Sequence, residues 1–143
     1  MLKRSLENCA PQDRLLYSLP VLTDIFFDVL RHEGVAAIAT LGAEPHLVNT
    51  WNSYIQVTNG GHLLIPAGGM HQTQQNIAAN PQVLLTVGTR ELAGKRGQPG
   101  AGFLVTGTAE FLSDGEDFDR VKAKFGWARA ALKITVGSVT QTL

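Results

Sequence analysis

The chain is poor in the features that most readily betray a function. It has a single cysteine, Cys9, and two methionines, and its 143 residues carry 12 Lys and Arg against 12 Asp and Glu, for a formal net charge of zero. One cysteine leaves no partner for an internal disulfide, and a reducing cytoplasm is the simplest compartment for such a chain. Balanced charge gives no global field to hold nucleic acid or an anionic membrane, so any anion has to be caught locally. No run of about 18 apolar residues is present, and Lys3 and Arg4 are followed by charged and polar residues, which predicts a soluble protein without a membrane span or signal core. The four histidines, at 32, 46, 62 and 71, show neither H-E-x-x-H nor a short paired spacing, and no metal centre is predicted. G-x-G-x-x-G, G-x-x-x-x-G-K-[ST] and G-x-S-x-G are also missing. The glycines at 94, 97, 100 and 102 follow Arg90 and Glu91, so classical nucleotide folds and serine hydrolase chemistry are disfavoured.

What is present reads as one domain with a short preface. Residues 1–21, with Asn8, Pro11 and Asp13, hold no steady period and read as an N-terminal appendage; residues 22–143 form the domain. Thr23 is placed to cap a helix with Ile25, Phe26, Val29 and Leu30 on one face, and Gly34 to end it. Strands are predicted over 35–41, 46–57, 63–65, 83–87, 103–112 and 132–139. A polar helix follows His71, a second carries Phe118, Val121 and Phe125, and a glycine-rich loop spans 94–102. Helices sit in the gaps without regular βαβ alternation, which favours a small, mostly antiparallel barrel of six strands with short flanking helices.

Three segments are candidates for a ligand site. In the first, Pro66-Ala67-Gly68-Gly69-Met70-His71-Gln72-Thr73, a strand ends at a proline and turns on two glycines before a polar helix start. Residues without Cβ let the backbone approach a ligand with its N–H groups, and Thr73 adds a hydroxyl. This suits a phosphate monoester, and an ordinary strand-to-helix turn explains it equally. In the second, Asn49-Thr50-Trp51-Asn52 interrupts a strand where β-branched residues are preferred. Its side chains suit a planar heterocycle, or an exposed polar sheet face around one tryptophan. In the third, Trp127 stands among small residues in Gly126-Trp127-Ala128-Arg129-Ala130-Ala131, as a pocket wall or as a core or interface anchor.

Taken in order, Gly34-Val35-Ala36-Ala37-Ile38-Ala39-Thr40, Pro45-His46-Leu47-Val48-Asn49-Thr50-Trp51-Asn52-Ser53-Tyr54, Gly68-Gly69-Met70-His71 with Thr73, and Trp127 through Leu132 to the terminal Gln141-Thr142-Leu143 resemble the small FMN-binding proteins of sulfate-reducing bacteria. These belong to the split-barrel family related to pyridoxamine 5'-phosphate oxidase. The resemblance runs from about Leu22 to Leu143. It implies an FMN-binding split barrel and a homodimer with one FMN per subunit near the interface. On that pattern Val48, Asn49, Thr50 and Trp51 line the flavin; Pro66, Gly68, Gly69, Met70, His71, Gln72 and Thr73 hold ring and phosphate groups; and Trp127, with Leu143 of a second copy, closes the aromatic end. Glu33 is implied near the ring as a charge that tunes its reduction. Gln72 departs from the family pattern, which has lysine there, and a neutral amide hydrogen-bonds a phosphate without neutralising it.

The function so implied is that of an FMN redox protein, in electron transfer or flavin-dependent oxidoreduction, with an unidentified redox partner and no catalytic side chain of its own. Two other readings stay open. A pyridoxamine phosphate oxidase-like enzyme needs a second phosphate pocket, for which Arg90, Lys95 and Arg96 are candidates, although a solvated loop explains them as well. A non-redox dimeric binding module needs no flavin at all.

Overall fold

A computed structural model describes residues 22–143, so the appendage and Cys9 lie outside the described residues. Helix α1 (Asp24–Arg31) opens on Thr23, whose hydroxyl accepts the Phe26 N–H at 3.3 Å, and it buries Phe26, Val29 and Leu30. Strands β1 (Val35–Leu41) and β2 (Pro45–Trp51) form a hairpin, and a 3₁₀ turn over Asn52–Tyr54 leads to the short β3 (Gln56–Val57). Then come β4 (Leu63–Ala67), α2 (His71–Ala79), β5 (Gln82–Ala93), β6 (Pro99–Leu112), α3 (Gly115–Lys124) and β7 (Ala130–Gln141). All strand pairs are antiparallel, in the order β2-β1-β5-β6-β7-β4-β3.

That order imposes the barrel. Strands β2 and β3 are consecutive in the chain yet stand at opposite edges of a seven-stranded sheet. A flat sheet of this size would set its edge strands roughly 29 Å apart, whereas the chain from Trp51 to Gln56 reaches at most about 18 Å. The sheet therefore has to curl around one core, with Phe26, Ile38, Leu63, Ile65, Leu85, Val105, Leu132 and Ile134 inside. It does not close, because β2 and β3 do not pair. The architecture is the mostly β split barrel anticipated from the sequence, with seven strands in place of six.

The additional strand has one identifiable cause. The single strand expected over 46–57 breaks at Asn52, a fully buried residue whose Nδ2 donates to the carbonyls of Val29 (3.3 Å), His32 (3.1 Å) and Gly88 (2.8 Å). One amide thus ties the end of α1 and the middle of β5 to the turn between β2 and β3. Gly34 does not end the helix, which stops at Arg31 with His32 in extended conformation. It is glycine because a Cβ there would collide with the Gly88 carbonyl oxygen. The glycine-rich segment 94–102 is only partly a loop. Strand β5 continues to Ala93 and β6 begins at Pro99, leaving a tight hairpin with Gly97 at φ 75° and Gly100 at φ 114°.

Replacing Asn52 with Ala leaves its three carbonyls without their shared donor. The expected outcome is a loss of about 2–4 kcal/mol of stability, measured as a lower urea midpoint.

Candidate functional site

The Gly68–Gly69 turn is built by its neighbours. Strand β4 pairs with β7 up to Ala67 and Ala130, and the Arg129 N–H donates to the Ala67 carbonyl at 2.9 Å. Beyond that point the chain must leave the sheet and enter α2. Gly68 makes this exit under the indole of Trp127, whose Cε3 and Cζ3 lie 3.2 and 3.3 Å from where a Cβ would stand. Any side chain here would push on the ring, which explains one of the two glycines. Gly69 is open on the Cβ side, and Met70 is the one non-glycine residue with positive φ among the described residues (60°).

Helix α2 begins without a side-chain cap, since its N-cap residue is Met70. The N–H groups of Gly69, Met70, His71, Gln72 and Thr73 find no backbone acceptor. Thr73 is not a cap either. It lies in the first turn, fully buried, and its hydroxyl has no hydrogen-bond partner. Free amides at a helix start, with an unsatisfied hydroxyl buried in its first turn, make a donor-rich helix end beside which negative charge is favoured. Gln72 is exposed and its Nε2 donates to Asn76 Oδ1 (2.9 Å), while Asn76 Nδ2 donates to Thr40 Oγ1 (3.1 Å). Residue 72 is thereby tied to β1 through an amide relay, and His71 is exposed beside it.

The remaining candidates fall into two further groups. On β2, Val48 and Thr50 point inward, Val48 packing against the core, while Asn49 and Trp51 point outward with Trp51 44% exposed. Pro66 is buried in β4 opposite Ala131 and contributes packing. Glu33 and Leu143 line one cleft of about 540 Å³ with Gly88, Arg90 and Ala101. Leu143 sits at the far end of β7 from the Gly68 turn, separated from Ala130 by roughly 40 Å of strand contour. The structure thus joins the Gly68–Thr73 turn to Trp127, and Glu33 to Leu143, but does not join these two sets within one chain. Lys95 and Arg96 line a separate cleft beside Leu143, with Lys95 Nζ donating to the Gln141 carbonyl at 3.3 Å. The three cations proposed for a second phosphate pocket are therefore divided between two clefts.

Trp127 is 54% exposed, so it is not a core residue. Its ring packs at 5.7 Å from Tyr54 and 5.8 Å from Phe125, centroid to centroid, in tilted and edge-on arrangements that fix its orientation over Gly68. Two residues around the site escaped the sequence reading. Arg129 follows Trp127 closely and contacts the glycine turn, and the basic residue two places after the tryptophan was its only signal. Ser53 donates to Glu33 Oε2 at 2.8 Å. That hydroxyl, with the Gly34 N–H on Oε1 (3.2 Å), holds the exposed Glu33 carboxyl below its ordinary pKa.

Against this geometry the relatives can be read. The family model of pyridoxamine 5'-phosphate oxidase matches residues 22–142. The chain belongs to that family. A curated relative, the FMN-binding protein of Nitratidesulfovibrio vulgaris (strain DSM 19637 / Miyazaki F), is 54% identical over 124 residues, covering 86% of this chain and all of that protein. Among solved structures, HupZ of Group A Streptococcus superposes with a TM-score of 0.70 at 20% identity, over 85% of this chain and 94% of its own. An FMN-binding protein from Syntrophomonas wolfei subsp. wolfei gives 0.63 at 13% identity, over 92% and 88%. At these identities the two structures establish the shared fold. This member of the oxidase family keeps the barrel and carries glutamine at 72 in the first turn of α2.

The Glu33 carboxyl offers a direct check on the cleft. Because its folded pKa is lowered, the bonds from Ser53 and Gly34 stabilise the fold above the ordinary glutamate range and are lost as pH falls through the folded value. Ser53→Ala removes the larger cause, and the expected result is an upward move of the Glu33 titration midpoint, followed by NMR of the side-chain carboxyl.

Proposed function

We propose that this chain binds FMN as a homodimer and acts as a flavin redox protein, in electron transfer or flavin-dependent oxidoreduction with a partner protein or substrate outside the chain. The observation that carries the reading is the uncapped start of α2, with the N–H groups of Gly69 to Thr73 lacking acceptors beside the buried, unpartnered Thr73 hydroxyl. A phosphate monoester fits this donor set. Thr73 has more than one accessible χ1 well in a helix, and a change of well is required to bring its hydroxyl out to an anion. The 54% identical relative, named an FMN-binding protein, supports the same cofactor.

When bound, the isoalloxazine ring supplies the electron chemistry, so the protein's task is to hold, orient and shield. In this reading Gly69 to Thr73 hold the phosphate, and Gly68, by lacking a side chain, lets Trp127 stand at the turn as an aromatic wall. Asn49 and Trp51, on the outward face of β2, offer amide and ring surfaces to a heterocycle, whereas the buried Thr50 hydroxyl is on the opposite face, and the ionised Glu33 opposes further negative charge nearby.

Two observations support a dimer as part of the site. Outward positions of β1, β2 and the first part of β5, residues 82–88, carry no charged side chain and expose Val35 (51%), Leu47 (66%) and Leu84 (46%), around a groove of about 580 Å³ lined by Leu41, Pro45 and Leu84; the exposed charges of β5, Arg90 and Glu91, lie beyond this stretch. A wide apolar face of this kind is covered in most soluble proteins, and its strands match a second copy of themselves without burying a charge. The length of β7 adds that a single flavin touching both Trp127 and a Leu143 must draw the leucine from another copy.

Titration of the deflavinated chain with FMN and riboflavin tests the cofactor. FMN is expected to bind more tightly, and Thr73→Ala to weaken FMN by about 1.5–3 kcal/mol while leaving riboflavin nearly unchanged. Equal binding of the two flavins in the parent overturns the phosphate assignment. For the dimer, Leu47→Asp places a charge on the apolar face, and sedimentation is expected to show monomer with a reduced flavin content; an unaltered dimer would move the interface elsewhere.

A further inference from the structure

Among the described residues, Arg129 is the one cation that grips the glycine turn. Its Nε donates to the Gly68 carbonyl (3.0 Å), Nη2 to the Gly69 carbonyl (2.6 Å) and Nη1 to Gln74 Oε1 (2.8 Å). The side chain is half-buried, at the first residue before β7, and its own N–H is fixed on Ala67. One planar group therefore joins the turn to α2, and the backbone N–H of the same residue ties both to the end of β4. Such a fork suits Arg because its donors diverge in fixed directions, whereas a lysine ammonium has no planar fork to match this set.

The stereochemistry gives this grip a consequence for ligand binding. Every peptide here is trans, so each C=O points opposite to the N–H of the next residue. With the carbonyls of Gly68 and Gly69 turned to the guanidinium, the N–H groups of Gly69 and Met70 face the other way. They join the free amides of the first turn of α2, where the buried hydroxyl of Thr73 is also without a partner. Glycine is otherwise free to rotate both peptides and scatter those donors.

We propose that Arg129 is the positioning residue of the anion site. It locks the Gly68 and Gly69 peptides so that their amides converge on a phosphate, without touching the phosphate itself. This rests on the FMN reading above and explains how a site with glutamine at position 72 remains organised for an anion. The guanidinium hydrogen bonds are spent on protein carbonyls, so its contribution is preorganisation of neutral donors.

The test compares FMN with riboflavin, which differ only in the phosphate, on the deflavinated full chain. In Arg129→Met the FMN dissociation constant is expected to rise about tenfold or more while that of riboflavin moves less than about threefold, collapsing the preference for the phosphorylated flavin. Arg129→Lys should retain part of that preference. Gln74→Ala, which frees one arm of the fork, should cost a smaller part of it. If circular dichroism shows that Arg129→Met does not fold, the lysine and Gln74 variants decide by the same ratio. Equal weakening of both flavins, or no change in either, marks Arg129 as merely structural and overturns the proposal. A parent chain that binds riboflavin as tightly as FMN removes the phosphate reading itself, and the proposal with it.

Discussion

The geometry of this protein depends on a short bridge across the mouth of the barrel. Trp51 ends one edge strand and Gln56 begins the opposite one, and the chain between them is too short to let the sheet lie flat. Asn52 secures that bridge from inside. Its buried amide donates to carbonyls of α1, its C-cap and β5, and the cost of leaving a buried polar group without its partners makes the bend specific. Gly34 belongs to the same joint, since the close approach of the strands there leaves no room for a side chain. The outward residues of β2, Trp51 among them, are held in register by this joint, so the curvature of the barrel and the presentation of the candidate ligand face have one cause.

A second constraint comes from β7, which runs the length of the molecule. It begins at Ala130, just after Trp127 and beside the proposed phosphate site, and its end at Gln141 leads to Leu143 in the cleft that contains Glu33. In the proposed reading both ends of this long strand serve one small ligand, and a single copy cannot bring them together. On that reading the apolar outer face over β2, β1 and residues 82–88 of β5 is the surface on which a second copy completes the site, because the outward side chains of that stretch would not have to surrender the solvation of a charge. In the proposed reading, cofactor binding and association are then linked, and each favours the other by mass action.

Much of this was legible in the sequence where the signal is local. The Thr23 cap, the apolar face of α1, the β1–β2 hairpin and the glycine turn before α2 rest on short-range chemistry, and the structure has them at or near the expected residues. The break at Asn52 was not legible, because the carbonyls that hold it belong to residues 20 to 36 positions away. The extent of β5 and β6 was missed for a related reason: glycine and proline at 94–102 read as loop, while pairing across the hairpin carries the ladder to Ala93 and Pro99. At the candidate site, residue types pointed to the turn and to Trp127. The role of Arg129 depends on a 60-residue separation from the carbonyls it grips, which no spacing rule reveals.

The absence of a net charge now takes on a physical meaning. A site that catches phosphate with lysines gains attraction from mobile, strongly hydrated cations, and its affinity falls as salt screens them. A site made of backbone amides works through fixed dipoles, whose field is short-ranged and whose strength depends on how rigidly they are aimed. On the proposed reading, glutamine at 72 and an arginine engaged with carbonyls put this chain in the second class. Helix-terminal partial charge offsets only part of a phosphate dianion, so the proposed complex keeps residual negative charge, to which Glu33 adds in the same protein. Added electrons meet that charge. In the proposed reading, the absence of a lysine at 72 favours a flavin that is held by geometry and is harder to reduce than one bound among lysines, and makes the rigidity of the Gly68–Thr73 turn, more than any single ion pair, the quantity that sets affinity.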